Sequence, residues 1–94
     1  MTEENLLIGS LSSDLFRIAS STYRGSMVAA DRFNIESKKW LLSLKKYKPK
    51  HYISKILHDL ENNLLDQKND LEKAEKCLMY ATLLENYALK NIYA

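Results

Sequence analysis

Glycine, proline and cysteine are scarce in this chain of 94 residues, which contains two, one and one of them, respectively. A fold rich in turns, such as a β-sandwich or a β-barrel, needs more glycine and proline than this between its strands. A single cysteine cannot form an intramolecular disulfide, which is typical of proteins in a reducing compartment. The scarcity favours long helices and predicts an all-α protein.

Long apolar runs are also lacking, because no segment approaches the ~20 apolar residues that span a bilayer. The N-terminus carries Glu3 and Glu4 in place of the basic start of a signal peptide. We therefore expect a cytoplasmic protein without a transmembrane segment. The length fits a single domain over residues 1–94, and a hydrophobic content of 46% is ordinary for a globular chain.

Catalytic and metal-binding motifs are missing as well. The chain has no glycine-rich phosphate loop and no nucleophile elbow. Nucleophilic catalysis needs a base beside the nucleophile, and a helical hairpin would hold Cys77 far from His51 and His58. His58 and Glu61 form a single His-x-x-Glu pair that points away from the leucine stripe. We therefore predict a protein that is not an enzyme and has no cofactor and no metal site.

What the sequence does contain is two arms with helical periodicity. In the first arm, apolar and small side chains keep one phase from Leu11 to Tyr47, with a polar ridge opposite. This pattern predicts one helix over about residues 12–47, with Ser12 or Ser13 as its N-cap. The middle of the stripe consists of small residues, which suit the close approach of a second helix: Ala19, Thr22, Ser26 and Ala29.

The second arm, about residues 50–92, has heptad spacing. Its apolar residues alternate steps of three and four from Ile53 to Ala81, which is typical of a helix that coils around a partner. Because the heptad keeps its phase, one continuous helix is the preferred interpretation. Asparagine and aspartate compete with helical hydrogen bonds, however, and a break near Asn69 would give a single-chain three- or four-helix bundle instead.

Between the arms, Lys48-Pro49 marks a corner. Proline disfavours helix at the residue before it and suits the first turn of the helix after it. We therefore predict an antiparallel helical hairpin with its corner at Lys48-Pro49. A lone hairpin would leave apolar residues off the main stripe exposed, and dimerisation into a four-helix bundle would cover them: Met27, Val28, Ile35, Leu42, Leu65 and Leu83.

Positive charge is concentrated at this corner. Residues 38–58 hold seven lysines and no acid, whereas residues 1–37 and 59–94 carry net charges of −2 and −3. Lys50 and Lys55 lie in the first turns of the second helix, where the helix dipole favours acids. Lysines mixed with tyrosines suit phosphates and stacked bases. The candidate contacts to an anion or a nucleic acid are Lys38, Lys39, Lys45, Lys46, Lys48, Lys50, Lys55, Tyr47 and Tyr52.

These features predict a non-enzymatic helical module for protein–protein interaction, which acts as a homodimer and binds a further protein partner. The alternative is an accessory protein that binds nucleic acid through the basic corner, residues 38–55. A salt titration separates the two functions, because binding to phosphates weakens steeply as the salt concentration rises.

Overall fold

The computed structural model describes residues 2–93, and side chains up to residue 90. Within this range the chain forms four α-helices: α1 (Glu3–Tyr23), α2 (Met27–Leu44), α3 (His51–Asn62) and α4 (Leu71–Tyr93). A short 3-10 helix, Leu64–Asp66, lies between α3 and α4. Residues 2–93 contain no strand, so the all-α prediction is confirmed.

The single helix predicted over residues 12–47 is wrong, because a turn at residues 24–26 divides it. Gly25 has a φ of 75°, a left-handed conformation that glycine adopts without steric cost. The amide of Ser26 donates to the carbonyl of Ser21 at 2.8 Å, which helps to satisfy the last carbonyls of α1. Periodicity missed this break because the turn residues leave the apolar pattern of α2 in phase with that of α1.

The helix α1 also begins well before the predicted cap. The hydroxyl of Thr2 accepts a hydrogen bond from the amide of Asn5 at 3.1 Å and caps the helix. Glu3 and Glu4 then lie in the first turn, where the helix dipole favours negative charge. Ser12 is not a cap, because its buried hydroxyl donates to the carbonyl of Ala81 at 2.7 Å.

The helix predicted over residues 50–92 is likewise interrupted, at residues 63–70. Asn63 ends α3 with a φ of −144° and a ψ of −69°, outside the helical region. Asp70 starts α4, since its carboxylate accepts from the amide of Lys73 at 2.9 Å. The break therefore falls in the asparagine- and aspartate-rich segment, where side chains compete with helical hydrogen bonds.

Consecutive helices run antiparallel and form a bundle within one chain. On α3 and α4, the Tyr80 hydroxyl donates to the Asp59 carboxylate at 2.6 Å, and the Tyr52 ring meets the Tyr87 ring edge-on at 6.0 Å. The earlier residue of α3 thus pairs with the later residue of α4. The most extensive helix–helix contacts are those of α1 with α2 and with α4. The two-helix hairpin with a corner at Lys48-Pro49 is therefore replaced by four shorter helices.

Small residues form the seam between α1 and α4. Ala74, Ala81 and Ala88 recur every seven residues on α4 and are all buried. The hydrogen bond between Ser12 and Ala81 sets an antiparallel register in which Ala19 lies opposite Ala74. Small side chains let the two helix axes approach closely.

Candidate functional site

The outer face of α2 carries a single line of exposed apolar side chains. Val28, Ile35 and Leu42 are spaced seven residues apart, and their exposed fractions are 86%, 60% and 66%. Because seven residues make about two helical turns, the three side chains lie along one line of the helix. Ser37 and Leu44, on the opposite face, are buried. We call Val28, Ile35 and Leu42 the α2 ridge.

Charged residues border the ridge on both sides, and most of them are basic. The surface neighbours of Ile35, three and four residues away along α2, are Asp31, Arg32, Lys38 and Lys39. The Asp31 carboxylate accepts a hydrogen bond from the Asn69 side chain at 2.6 Å, and Lys38 forms an ion pair with Asp66 at 2.8 Å. Arg32 and Lys39 are exposed and make no ion pair with the other described side chains.

The candidate anion contacts are distributed over α2, the connection at residues 45–50 and α3. Three of the seven lysines are held in ion pairs with distant acids, which reduces the charge available to an external anion. These pairs are Lys38–Asp66 at 2.8 Å, Lys45–Glu61 at 2.6 Å and Lys46–Glu3 at 3.3 Å. Lys48, Lys50 and Lys55 are exposed, and in the described part of the chain no acid lies within ion-pair distance of them.

The two tyrosines of the basic corner differ in their surroundings. Tyr47 is half-buried against the core, with the Lys46 ammonium 5.3 Å from its ring centre. A side-chain hydrogen bond from Tyr47, followed by the Lys46 ammonium, lowers the pKa of the Glu3 carboxyl. Tyr52 has 48% of its surface exposed, and its ring meets the buried Tyr87 edge-on. Of the two, only Tyr52 presents enough ring surface to stack on a base.

A groove of about 490 Å³ lies between α1 and α4. Its floor contains small residues, and at Gly9 an added Cβ would meet no atom within 4 Å. Leu6 and Leu89, with exposed fractions of 56% and 42%, form its walls, and Glu85 is the only charged residue among the described ones that line it. We call this surface the α1–α4 groove; it is lined by Asn5, Leu6, Gly9, Ser12, Ser13, Phe16, Glu85, Ala88 and Leu89.

A buried carboxylate joins α1 to α2. Asp14 is 1% exposed and accepts hydrogen bonds from the Trp40 indole at 2.7 Å and from Arg17 at 3.1 Å. Glu36 shares a hydrogen bond with Asp14, and this bond, together with repulsion between the two carboxylates, raises the pKa of Glu36. Because its lone pairs are committed to protein donors, Asp14 anchors α2 on α1 and is not presented to a substrate.

A buried ammonium joins the α3–α4 connection to α2. Lys73 is 1% exposed, and its Nζ donates to the Asn34 side chain at 2.8 Å, the Gln67 carbonyl at 2.9 Å and the Leu65 carbonyl at 3.3 Å. These three acceptors match the three donors of a lysine ammonium. Burial nevertheless lowers the pKa of Lys73.

The side chain of Cys77 is also buried, and this burial raises the pKa of its thiol to about 11. The thiol is therefore protonated at neutral pH and is a poor nucleophile.

No protein-family model, curated protein or solved structure matches this chain. Among the described residues, no three or more His, Cys, Asp and Glu side chains are grouped so as to hold a metal ion. Within the same part of the chain, no helix has the length and hydrophobicity needed to cross a membrane. The surfaces of the bundle are therefore the features from which a function can be inferred.

Sequence reasoning found the α2 ridge as apolar residues off the main stripe, but it missed the α1–α4 groove and both buried charges. Asp14 lies in the middle of α1, because this helix begins at Glu3 and not near the predicted cap at Ser12 or Ser13. Lys73 carries no signal in the sequence, because it lies among charged residues of α4. The α1–α4 groove can be predicted only if the packing of α1 against α4 is known, and periodicity alone does not reveal which helices are neighbours.

Proposed function

We propose that this protein is a non-enzymatic interaction module that binds a partner protein through the α2 ridge. The exposure of Val28, Ile35 and Leu42 in one line is the observation that supports it. Single exposed apolar residues are normal on protein surfaces, but an aligned set is typical of a contact surface. Their exposed fractions add up to about two whole side chains, so covering the ridge is worth roughly 3–6 kcal/mol before the costs of association.

The shape and charge of the ridge define the partner. A coiled-coil seam needs apolar residues at two heptad positions, whereas the positions beside the ridge are charged: Asp31, Arg32, Lys38, Lys39 and Lys45. A single apolar line fits into a groove between two helices better than against a flat seam. The exposed Arg32 and Lys39 favour acidic side chains along the edge of that groove. The partner surface is thus an apolar groove with an acidic rim.

Comparative affinity capture from extracts of the host tests this function. Tagged wild-type protein is compared with a ridge variant, Val28→Ser with Ile35→Ser and Leu42→Ser. A control variant, Met79→Ser with Leu83→Ser, removes exposed apolar residues from the outer face of α4. We expect a partner that the wild type and the control capture and that the ridge variant loses by more than tenfold. Capture of the same proteins by all three would exclude the ridge as the interface.

A second candidate function, nucleic-acid binding, is supported by Lys48, Lys50 and Lys55. Their side chains are exposed, they lie outside the ion pairs of the described residues, and they surround the N-terminus of α3. The helix dipole adds positive potential at that end. Contacts from three lysines to a single strand predict a slope of about −2 in log K against log salt. Lys50→Glu with Lys55→Glu should remove this binding, and no binding of wild type at low salt would eliminate the function.

A further inference from the structure

The α1–α4 groove has the chemistry that the α2 ridge requires of a partner. Leu6 and Leu89 form apolar walls, and the space above Gly9 leaves room for an inserted side chain. In the described lining the charged residue is Glu85, opposite in sign to the basic residues that border the ridge. Hydrophobicity and charge are therefore complementary between these two surfaces of the same molecule.

The lengths of the two surfaces overlap. The lining of the groove runs along α1 from Asn5 to Phe16 and along α4 from Glu85 to Leu89. From Asn5 to Phe16 the helix α1 extends about 17 Å at 1.5 Å per residue, and neighbouring side chains of the ridge are about 10 Å apart. The groove can therefore receive two of the three ridge side chains.

We infer that the partner of the ridge is a second copy of this chain, whose α1–α4 groove receives the ridge. Arg32 and Lys39 then border the α4 side of the groove, where Glu85 is the acid in the described lining. This inference rests on the proposed function of the ridge and names its partner. Because the ridge and the groove are different surfaces, an open assembly of any length keeps one uncovered ridge at one end and one uncovered groove at the other. Such a head-to-tail contact builds open chains, or rings if the rotation closes.

The assembly is expected to be weak. A contact about 17 Å long and one helix wide, about 10 Å, is smaller than the ~800 Å² that each partner buries in a standard interface. Association should therefore depend on concentration over the micromolar to millimolar range. This size favours reversible chains over a permanent dimer.

Two obstructing variants test the inference, one on each surface. Ile35→Glu places a negative charge in the middle of the ridge, and Gly9→Trp fills the groove from a position where a Cβ meets no other atom. The mass of the wild-type protein in sedimentation should rise continuously with concentration, while each variant alone should remain a monomer. An equimolar mixture should form a dimer and nothing larger, because one variant keeps its groove and the other its ridge.

Three results would overturn the inference. A mixture that stays monomeric while the wild type assembles would show that an intact ridge does not bind an intact groove. A mixture that forms species larger than the dimer would show that the contact uses neither surface. A wild-type protein that is monomeric at millimolar concentration would exclude self-assembly. The proposed function survives that last result if the ridge variant alone loses a different partner from the extract. Circular dichroism checks that the variants are folded, and Leu89→Glu replaces Gly9→Trp if the latter is not.

Discussion

Replacing Lys73 with methionine tests how the α3–α4 connection is held to the bundle. Methionine has nearly the same length and fills the same space, but it removes all three N–H donors of the buried ammonium. The Leu65 carbonyl keeps a donor, since the Asn34 amide also donates to it at 2.9 Å. The Asn34 side-chain oxygen and the Gln67 carbonyl lose the hydrogen bonds that Lys73 gives them.

The expected cost follows from these two acceptors. An unsatisfied acceptor costs about 1–3 kcal/mol when it is fully buried, so roughly 2–6 kcal/mol is the upper limit for both, because Asn34 is half-buried and Gln67 is exposed. Two effects reduce this figure: Lys73 lies beside a surface cavity that can supply water, and the variant no longer buries a charge. We therefore expect Lys73→Met to lower the free energy of unfolding by about 2–4 kcal/mol.

Urea unfolding followed by circular dichroism measures this change, with an unchanged slope as the sign of an intact two-state transition. Lys76→Met is the matched control, because Lys76 is an exposed lysine on the same helix. That variant should change stability by no more than about 0.5 kcal/mol. Equal stability of the two variants would refute the view that the Lys73 ammonium holds the connection in place. Hydrogen exchange should become faster at residues 63–70 in the Lys73 variant alone.

Three further predictions concern the turn and the α1–α2 anchor. Gly25→Ala should cost about 1–2 kcal/mol because of its positive φ, whereas Gly9→Ala should stabilise α1 by about 0.5–1 kcal/mol; urea unfolding showing the same sign for both would contradict the assigned turn. Trp40→Phe removes the indole donor to the buried Asp14 carboxylate and should lower the free energy of unfolding by about 1–3 kcal/mol, again measured by urea unfolding. An unchanged stability would show that this hydrogen bond does not hold α2 on α1. Because the pKa of Glu36 is raised, the folded state binds its proton more tightly, so stability should fall as pH rises from the ordinary glutamate pKa through the raised one. Glu36→Gln should remove that part of the pH dependence of the urea midpoint, and an unaltered profile would assign it to other groups.

The helical content and the exposed ridge could be predicted from the sequence, whereas the chain reversals could not. Periodicity reports which side of a helix is apolar, but it does not report the direction of the next helix when a turn keeps the phase. At residues 24–26 the only sequence signal was Gly25, because no proline accompanies it. At residues 63–70 the asparagines and aspartates gave a clearer signal, which the unbroken heptad outweighed.

The ion pairs of the basic corner depend on which helices are neighbours in the fold. In a hairpin of two long helices, Glu3 and Lys46 would lie at opposite ends of the first arm, more than about 50 Å apart. The turn at residues 24–26 folds α1 back along α2 and brings these side chains to 3.3 Å. The lysine cluster was predictable from composition, but its partial neutralisation depended on which helices are neighbours.

The division into four helices reduces the number of apolar residues that a second copy would have to cover. In the two-helix hairpin, a second copy was needed to cover every apolar residue off the main stripe. In the bundle, Leu65 is 2% exposed and needs no partner, whereas Val28, Ile35 and Leu42 are still exposed. A symmetric dimer through the ridge would place its basic borders side by side, which is electrostatically unfavourable. Glu85 in the lining of the α1–α4 groove is opposite in sign to those borders, so the charge distribution favours a head-to-tail contact between copies over a symmetric one.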